Sequence, residues 1–185
     1  MPELILNHAR IPGYKELQQV VIQQERVSAI VPLSDHLPNQ AVEVDLNGEW
    51  LSLGGVDLQI NGALGLAFPD LSNENQSKLN QIGEFLWQQG VDAYLPTIVT
   101  TSIENIQRSL ATLATPAAST SPAHILGVHL EGPFLNPSKR GAHPEEHLQP
   151  LTIETVKRVL GDYAAVVKVM TLAPELDTTG NVIPY

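Results

Sequence analysis

Beyond about residue 53 short apolar runs alternate with helical patterns, and this alternation restricts the fold more than any other feature of the chain. The runs are "GGVDLQI", "AYLPTIV", "HILGVHL" and "VVKVM"; the helical patterns fall near residues 74–89, 102–113 and 152–160. Strands separated by helices imply parallel βα units, because a parallel pair needs a crossover and a helix is the usual one. In the first helix Leu79, Ile82, Phe85 and Leu86 recur at helical spacing, with Gly90 placed to end it. In the second, Thr101 and Glu104 form a capping box ahead of Ile103, Ile106, Leu110 and Leu113. "ATPAASTSPAH" (114–124) is a small-residue connection with a structural role only.

Before residue 53 the pattern is different. "LILN", "LQQVVIQ", "RVSAIVP" and "AVEVDL" are short runs rich in Val, Ile and Leu, punctuated by Pro, Gly, Asn and Asp, and they read as successive strands of a small β-unit. The boundary divides the chain into residues 1–53 and 54–185.

The polar motifs share one position. "QING" follows the first βα strand, "PTIVTT" ends the second, "HLEGPF" the third and "TLAPE" the fourth. Parallel α/β folds place their active sites at the carboxyl ends of their strands, in a (β/α)8 barrel as in an open doubly wound sheet. Spacing alone does not separate the two architectures.

Composition excludes several functions. With 43% hydrophobic and 16% charged residues among 185, the chain is able to bury a core. A formal charge of -10 disfavours nucleic acid and anionic membrane as partners. The chain has no cysteine, so thiolate metal sites, disulfides and thiol nucleophiles are out, and any metal must be held by His, Asp, Glu or backbone. The first residues carry neither a basic region nor an apolar stretch long enough for a signal peptide, and no apolar run approaches 18 residues, so the expected location is cytoplasmic.

The chemistry is concentrated in "HLEGPFLNPSKRGAHPEEH" (129–147). Glu131 follows an apolar run and reads either as a metal ligand or acid/base in a cleft, or as a solvated or capping glutamate. His129 shares its face of an extended strand; it reads as a partner of Glu131 or, more commonly for such a position, as a hydrogen-bonded core histidine. His143, between Gly141 and Pro144, is aimed by a stiff loop, which favours a functional role. His147 reads as a surface residue, and Lys139 and Arg140 as solvated bases. Asp57, Gln59 and Asn61 alternate along the first strand opposite Val56, Leu58 and Ile60. Their side chains suit a sugar hydroxyl or water, or internal hydrogen bonding, and amides are poor ligands for a transition metal. Asn61-Gly62 suits a turn.

"DLQINGALG", "LPTIVTT", "GVHLEGPFLNPSKRGAHP" and "TLAPE", in this order and at these intervals, closely resemble the N-acetylglucosamine-6-phosphate deacetylase family of metal-dependent amidohydrolases. The long third block is the most specific. The resemblance covers about residues 4–177 and only part of the family's length. It implies an α/β fold, the first half of a (β/α)8 barrel over residues 54–185, preceded over 1–53 by the amino-terminal strands of a small β-sandwich domain. It implies hydrolysis of the acetamide of N-acetylglucosamine 6-phosphate to glucosamine 6-phosphate and acetate. Glu131 matches the family's metal-binding glutamate, His143 the histidine that reaches the acetamide carbonyl, and Ala142 the residue beside it in the pocket. Gln59 and Asn61 stand where many amidohydrolases carry a His-x-His pair, which implies one divalent ion, zinc or iron, and places the two amides in the substrate pocket. The resemblance also implies a homodimer acting on a small amino-sugar phosphate. The family's two remaining histidine ligands, its catalytic aspartate and its phosphate-binding residues lie beyond Tyr185, so the 185-residue chain by itself is expected to be inactive. A related amidohydrolase acting on another amide, and a non-catalytic module that binds a sugar phosphate or a partner chain, are the alternative readings.

Overall fold

Tight left-handed turns and short apolar strands build the amino-terminal part of the computed structural model, which describes residues 4–33, 41–115 and 121–184. Strands β1 (Leu4–Ala9), β2 (Gln18–Gln23), β3 (Arg26–Pro32) and β4 (Val42–Asp45) form one sheet in the order β3-β2-β1-β4. Gln24 and Glu25, at φ 49° and 65°, close the β2–β3 hairpin directly beyond the Gln23–Arg26 pair. Two successive positive φ values give the turn a twist that matches the flanking strands. Ile5, Ala9 and Val20 are buried in this unit, which comprises Met1–Leu53.

The second unit, Gly54–Tyr185, carries the parallel strands. These are β5 (Gly55–Ile60), β8 (Val91–Val99), β10 (Val128–Glu131) and β11 (Val167–Thr171). A two-residue hairpin, β6 (Gly62–Ala63) and β7 (Leu66–Ala67), follows β5, and β9 (His124–Ile125) pairs with β8. The main sheet runs β11-β10-β8-β5, every pair parallel, so spatial order follows chain order. A doubly wound sheet reverses direction at a switch point, whereas a (β/α)8 barrel winds one way throughout. The four strands therefore have the order of half a barrel.

The helices cover one side of this sheet. In α1 (Lys78–Gln88), Leu79, Ile82 and Leu86 pack with Tyr94, Phe68 and Leu71, and Gly90 ends the helix at φ 82°, its N–H on the Trp87 carbonyl. Phe85 lies off this stripe and is exposed. In α2 (Ile103–Ala114), Ile106 and Leu110 join Ile98, Val128, Leu130 and Phe134, together with Val156 and Val159 of α3 (Ile153–Leu160). The α2 cap falls one residue later than the capping-box expectation: Ser102 accepts from the Asn105 N–H, while the Thr101 hydroxyl accepts from the Asn105 side chain. Thr152 caps α3 in the same way through Thr155 N–H.

Two other sequence expectations are corrected. "HILGVHL" is interrupted: β9 ends at Ile125 and β10 begins at Val128, and Gly127 between them has φ 150°, where a β-carbon would come within 2.8 Å of the Val166 carbonyl and overlap the Lys168 side chain. Asn61-Gly62 is not the turn. Leu64 and Gly65, at φ 50° and 76°, make it, and Gly62 pairs with Ala67. The connection at 114–124 lies partly outside the described residues.

Candidate active site at the carboxyl ends of the parallel strands

The side of the sheet away from the helices is crossed by a row of polar groups. Thr97 on β8 accepts the Ile60 N–H at 3.0 Å, where the β5–β8 register shifts and the regular ladder is interrupted. Its hydroxyl also lies 3.2 Å from Nδ1 of His129 on β10, and Nε2 of His129 is 2.8 Å from the Thr171 hydroxyl on β11. His129 is thus a buried, doubly bonded core histidine, 4% exposed. Burial lowers its pKa below the ordinary value, with Glu131 opposing the shift.

One step further along the strands the row opens into a cavity of about 300 Å3. Gln59 near the end of β5 and Asn61 just past it, Val99 at the end of β8 and Thr100 just past it, and Glu131 at the end of β10 line it, with Ala142, His143 and Pro144 from the following loop. Gln59 donates from Nε2 to Asn61 at 2.8 Å and to Oε2 of Glu131 at 3.3 Å. His143 places Nε2 3.5 Å from Oε1 of Glu131 and Nδ1 2.8 Å from the Thr100 hydroxyl. Gln59, Asn61, Glu131, Ala142 and His143 meet at this one cavity, whereas Asp57 and His129, also weighed from the sequence, do not line it.

Three contributions were not visible in the sequence. Thr100 touches both His143 and the Glu131 carbonyl, the latter at 3.3 Å. Gly132 makes that approach possible: it has φ 77°, and a β-carbon there would overlap the Thr100 hydroxyl. Arg140, read as solvated, donates to the His143 carbonyl at 2.7 Å and pairs with Glu145, so it braces the loop that aims His143. The doubled Thr-Thr of "PTIVTT" was the available signal for Thr100, and nothing local marked which threonine faces the cavity. Asp57 separates from Gln59 and Asn61 and accepts the Gln59 N–H at 3.0 Å. Val56 and Leu58, on the opposite face, are more than half exposed, β5 being the edge strand of this sheet. His147 is half-buried, its backbone N–H bonded to the Pro144 carbonyl.

A one-way parallel sheet whose carboxyl ends gather a carboxylate, a histidine and two amides defines a chain of the parallel α/β class with a candidate active site at its strand ends. No family model matches the chain. It is 37% identical over 141 residues to N-acetylglucosamine-6-phosphate deacetylase of Bos taurus, a match covering 75% of this chain and 34% of the relative. It is 32% identical over 159 residues to the Haemophilus influenzae enzyme of the same name, covering 86% and 40%. The crystal structure of the Pasteurella multocida deacetylase superposes with a TM-score of 0.70 at 30% identity, over 95% of this chain and 46% of that one. The chain belongs to the N-acetylglucosamine-6-phosphate deacetylase family, and it spans little more than a third of the length of these two sequence relatives.

Proposed function

We propose that the cavity at the strand ends serves the hydrolysis of the acetamide of N-acetylglucosamine 6-phosphate, giving glucosamine 6-phosphate and acetate. The convergence of His143 and Glu131 on one cavity, with Gln59, Asn61 and Ala142 around it, carries this reading; the names of the relatives supply the substrate. Nε2 of His143 would polarise the acetamide carbonyl by donating a hydrogen bond to its oxygen, where negative charge grows in the transition state. The Gln59 and Asn61 amides would hold a sugar hydroxyl or a water. Ala142 would leave room for the acetyl methyl.

The family implies a divalent ion, zinc or iron, at Glu131. Among the described residues no group of three or more His, Cys, Asp or Glu side chains comes together to hold one. The donor set present falls short of a metal site, and Glu131 would supply a single ligand. In the same reading the protein is a cytoplasmic homodimer built from an amino-terminal β-domain over residues 1–53 and barrel units over 54–185. The exposed Val56 and Leu58 offer apolar surface that another element or copy would cover. No helix among the described residues is long and apolar enough to cross a membrane.

Acetate release from N-acetylglucosamine 6-phosphate by the native protein carrying this sequence tests the assignment. His143→Gln is expected to lower kcat by about 100-fold or more, as removal of a positioned donor does. Undiminished turnover in that variant would overturn it.

A further inference from the structure

We propose that Thr100 is a positioning residue: its hydroxyl donates to Nδ1 of His143 and so fixes the ring proton on Nε2, the nitrogen that faces Glu131 and the cavity. This deepens the reading of His143 as the group that meets the acetamide carbonyl, and rests on it for its catalytic consequence.

Thr100 is 3% exposed, so its hydroxyl is settled by protein partners. Two are in reach, Nδ1 of His143 at 2.8 Å and the Glu131 carbonyl at 3.3 Å. The hydroxyl has one proton to give and two lone pairs to offer. If the proton goes to the carbonyl, a neutral His143 must carry its own proton on Nδ1. Its bare Nε2 then faces Oε1 of Glu131 at 3.5 Å, lone pair against carboxylate. If the proton goes to Nδ1, the ring carries its proton on Nε2, and that N–H is attracted to the carboxylate. The second arrangement replaces that repulsion with an attraction and uses the shorter of the two contacts, at the expense of the longer 3.3 Å hydrogen bond to the Glu131 carbonyl.

The surroundings hold this geometry from both sides. Gly132, lacking a β-carbon, leaves the space that the Thr100 hydroxyl occupies. Arg140 pins the His143 carbonyl at 2.7 Å, so the main chain bearing the ring is held as well as the ring. The result is an N–H already aimed into the cavity before a substrate carbonyl arrives, which is the preorganisation that makes a donor effective.

Two-bond proton–nitrogen NMR spectra of the 15N-histidine-labelled chain, at about pH 8.5 where an ordinary histidine is neutral, read the tautomer directly, with His143→Gln assigning the signal. The Nε2–H form is expected in the unmodified chain and in Thr100→Ser. In Thr100→Val, which keeps the shape and loses the hydroxyl, the Nδ1 signal should leave its hydrogen-bonded position and the tautomer ratio fall about fivefold. An Nδ1–H form in the unmodified chain, or a Val variant indistinguishable from it, overturns the proposal. Should the Val variant fail to fold, Thr100→Ala, which also lacks the hydroxyl and adds no bulk beside Gly132, carries the same comparison. In the native protein Thr100→Val should lower kcat for N-acetylglucosamine 6-phosphate about tenfold with KM nearly unchanged, and Thr100→Ser should restore it. Loss of the deacetylase reading would remove this kinetic effect and leave the tautomer result standing.

Discussion

Gln59 and Glu131 touch across an intervening strand: Nε2 of Gln59 lies 3.3 Å from Oε2 of Glu131, although 72 residues separate them and β8 runs between β5 and β10. The contact pairs a neutral donor with a carboxylate. Gln59→Glu would set two carboxylates against each other at nearly the same distance. A loss of about 1 kcal/mol is expected for such a partly solvated pair, and it should shrink as salt rises. Urea unfolding at low and high ionic strength checks this; equal stability at low salt would count against the contact.

Gly132 is expected to tolerate no side chain. Its φ of 77° disfavours any L-residue, and a β-carbon would overlap the Thr100 hydroxyl. Gly132→Ala should destabilise the second unit by roughly 2–3 kcal/mol. Thr100→Ala in the same chain should recover the steric part and leave the backbone part. The double-mutant cycle should therefore show a coupling near 1 kcal/mol. Purely additive effects would mean that the close approach does not exist.

His129 ties three strands. Its ring meets Thr97 at 3.2 Å and Thr171 at 2.8 Å, and Thr97 in turn receives the Ile60 N–H. His129→Leu fills a similar space yet leaves both hydroxyls short of a partner, at a cost of about 2–3 kcal/mol. Amide exchange at Ile60 should accelerate together with the loss of stability. An Ile60 amide protected as before would show that Thr97 does not depend on the histidine.

Asp177 organises the turn after β11 and predicts an acid-sensitive segment. Desolvation, the largest influence on its carboxyl, pushes the pKa up, and hydrogen bonds from Thr179, Val182 and Ile183 together outweigh it, leaving it below the ordinary 3.8. A depressed folded pKa means that the unfolded chain takes up the proton first as pH falls. The stabilisation is full well above pH 3.8 and is lost as pH drops through the lower folded value. Asp177→Asn should therefore be less stable than the unmodified chain near neutrality, and the gap should close in acid. Unfolding midpoints compared between about pH 7 and pH 3 test this; a gap independent of pH would reject it.

The sequence by itself determined the elements and the location of the chemistry. Period-2 and period-3.6 apolar patterns with their Gly, Ser and Thr punctuation are local signals, and they placed the strands and helices and put the polar motifs at strand ends. The resemblance of four ordered motifs then carried Glu131, His143, Ala142, Gln59 and Asn61 to one site. The same resemblance implied the one-way winding of a barrel, which the strand order bears out. Only the tertiary structure decided that β5 lies at an edge with Val56 and Leu58 exposed, and that Phe85 faces outward. It alone showed Thr100 against His143, 43 residues apart, and Arg140 bracing the His143 carbonyl. A hydrogen bond between residues so distant in the chain leaves no periodic trace in either segment. It exists because parallel strands bring their carboxyl ends side by side, and a glycine at 132 leaves the space for a threonine hydroxyl to reach the ring.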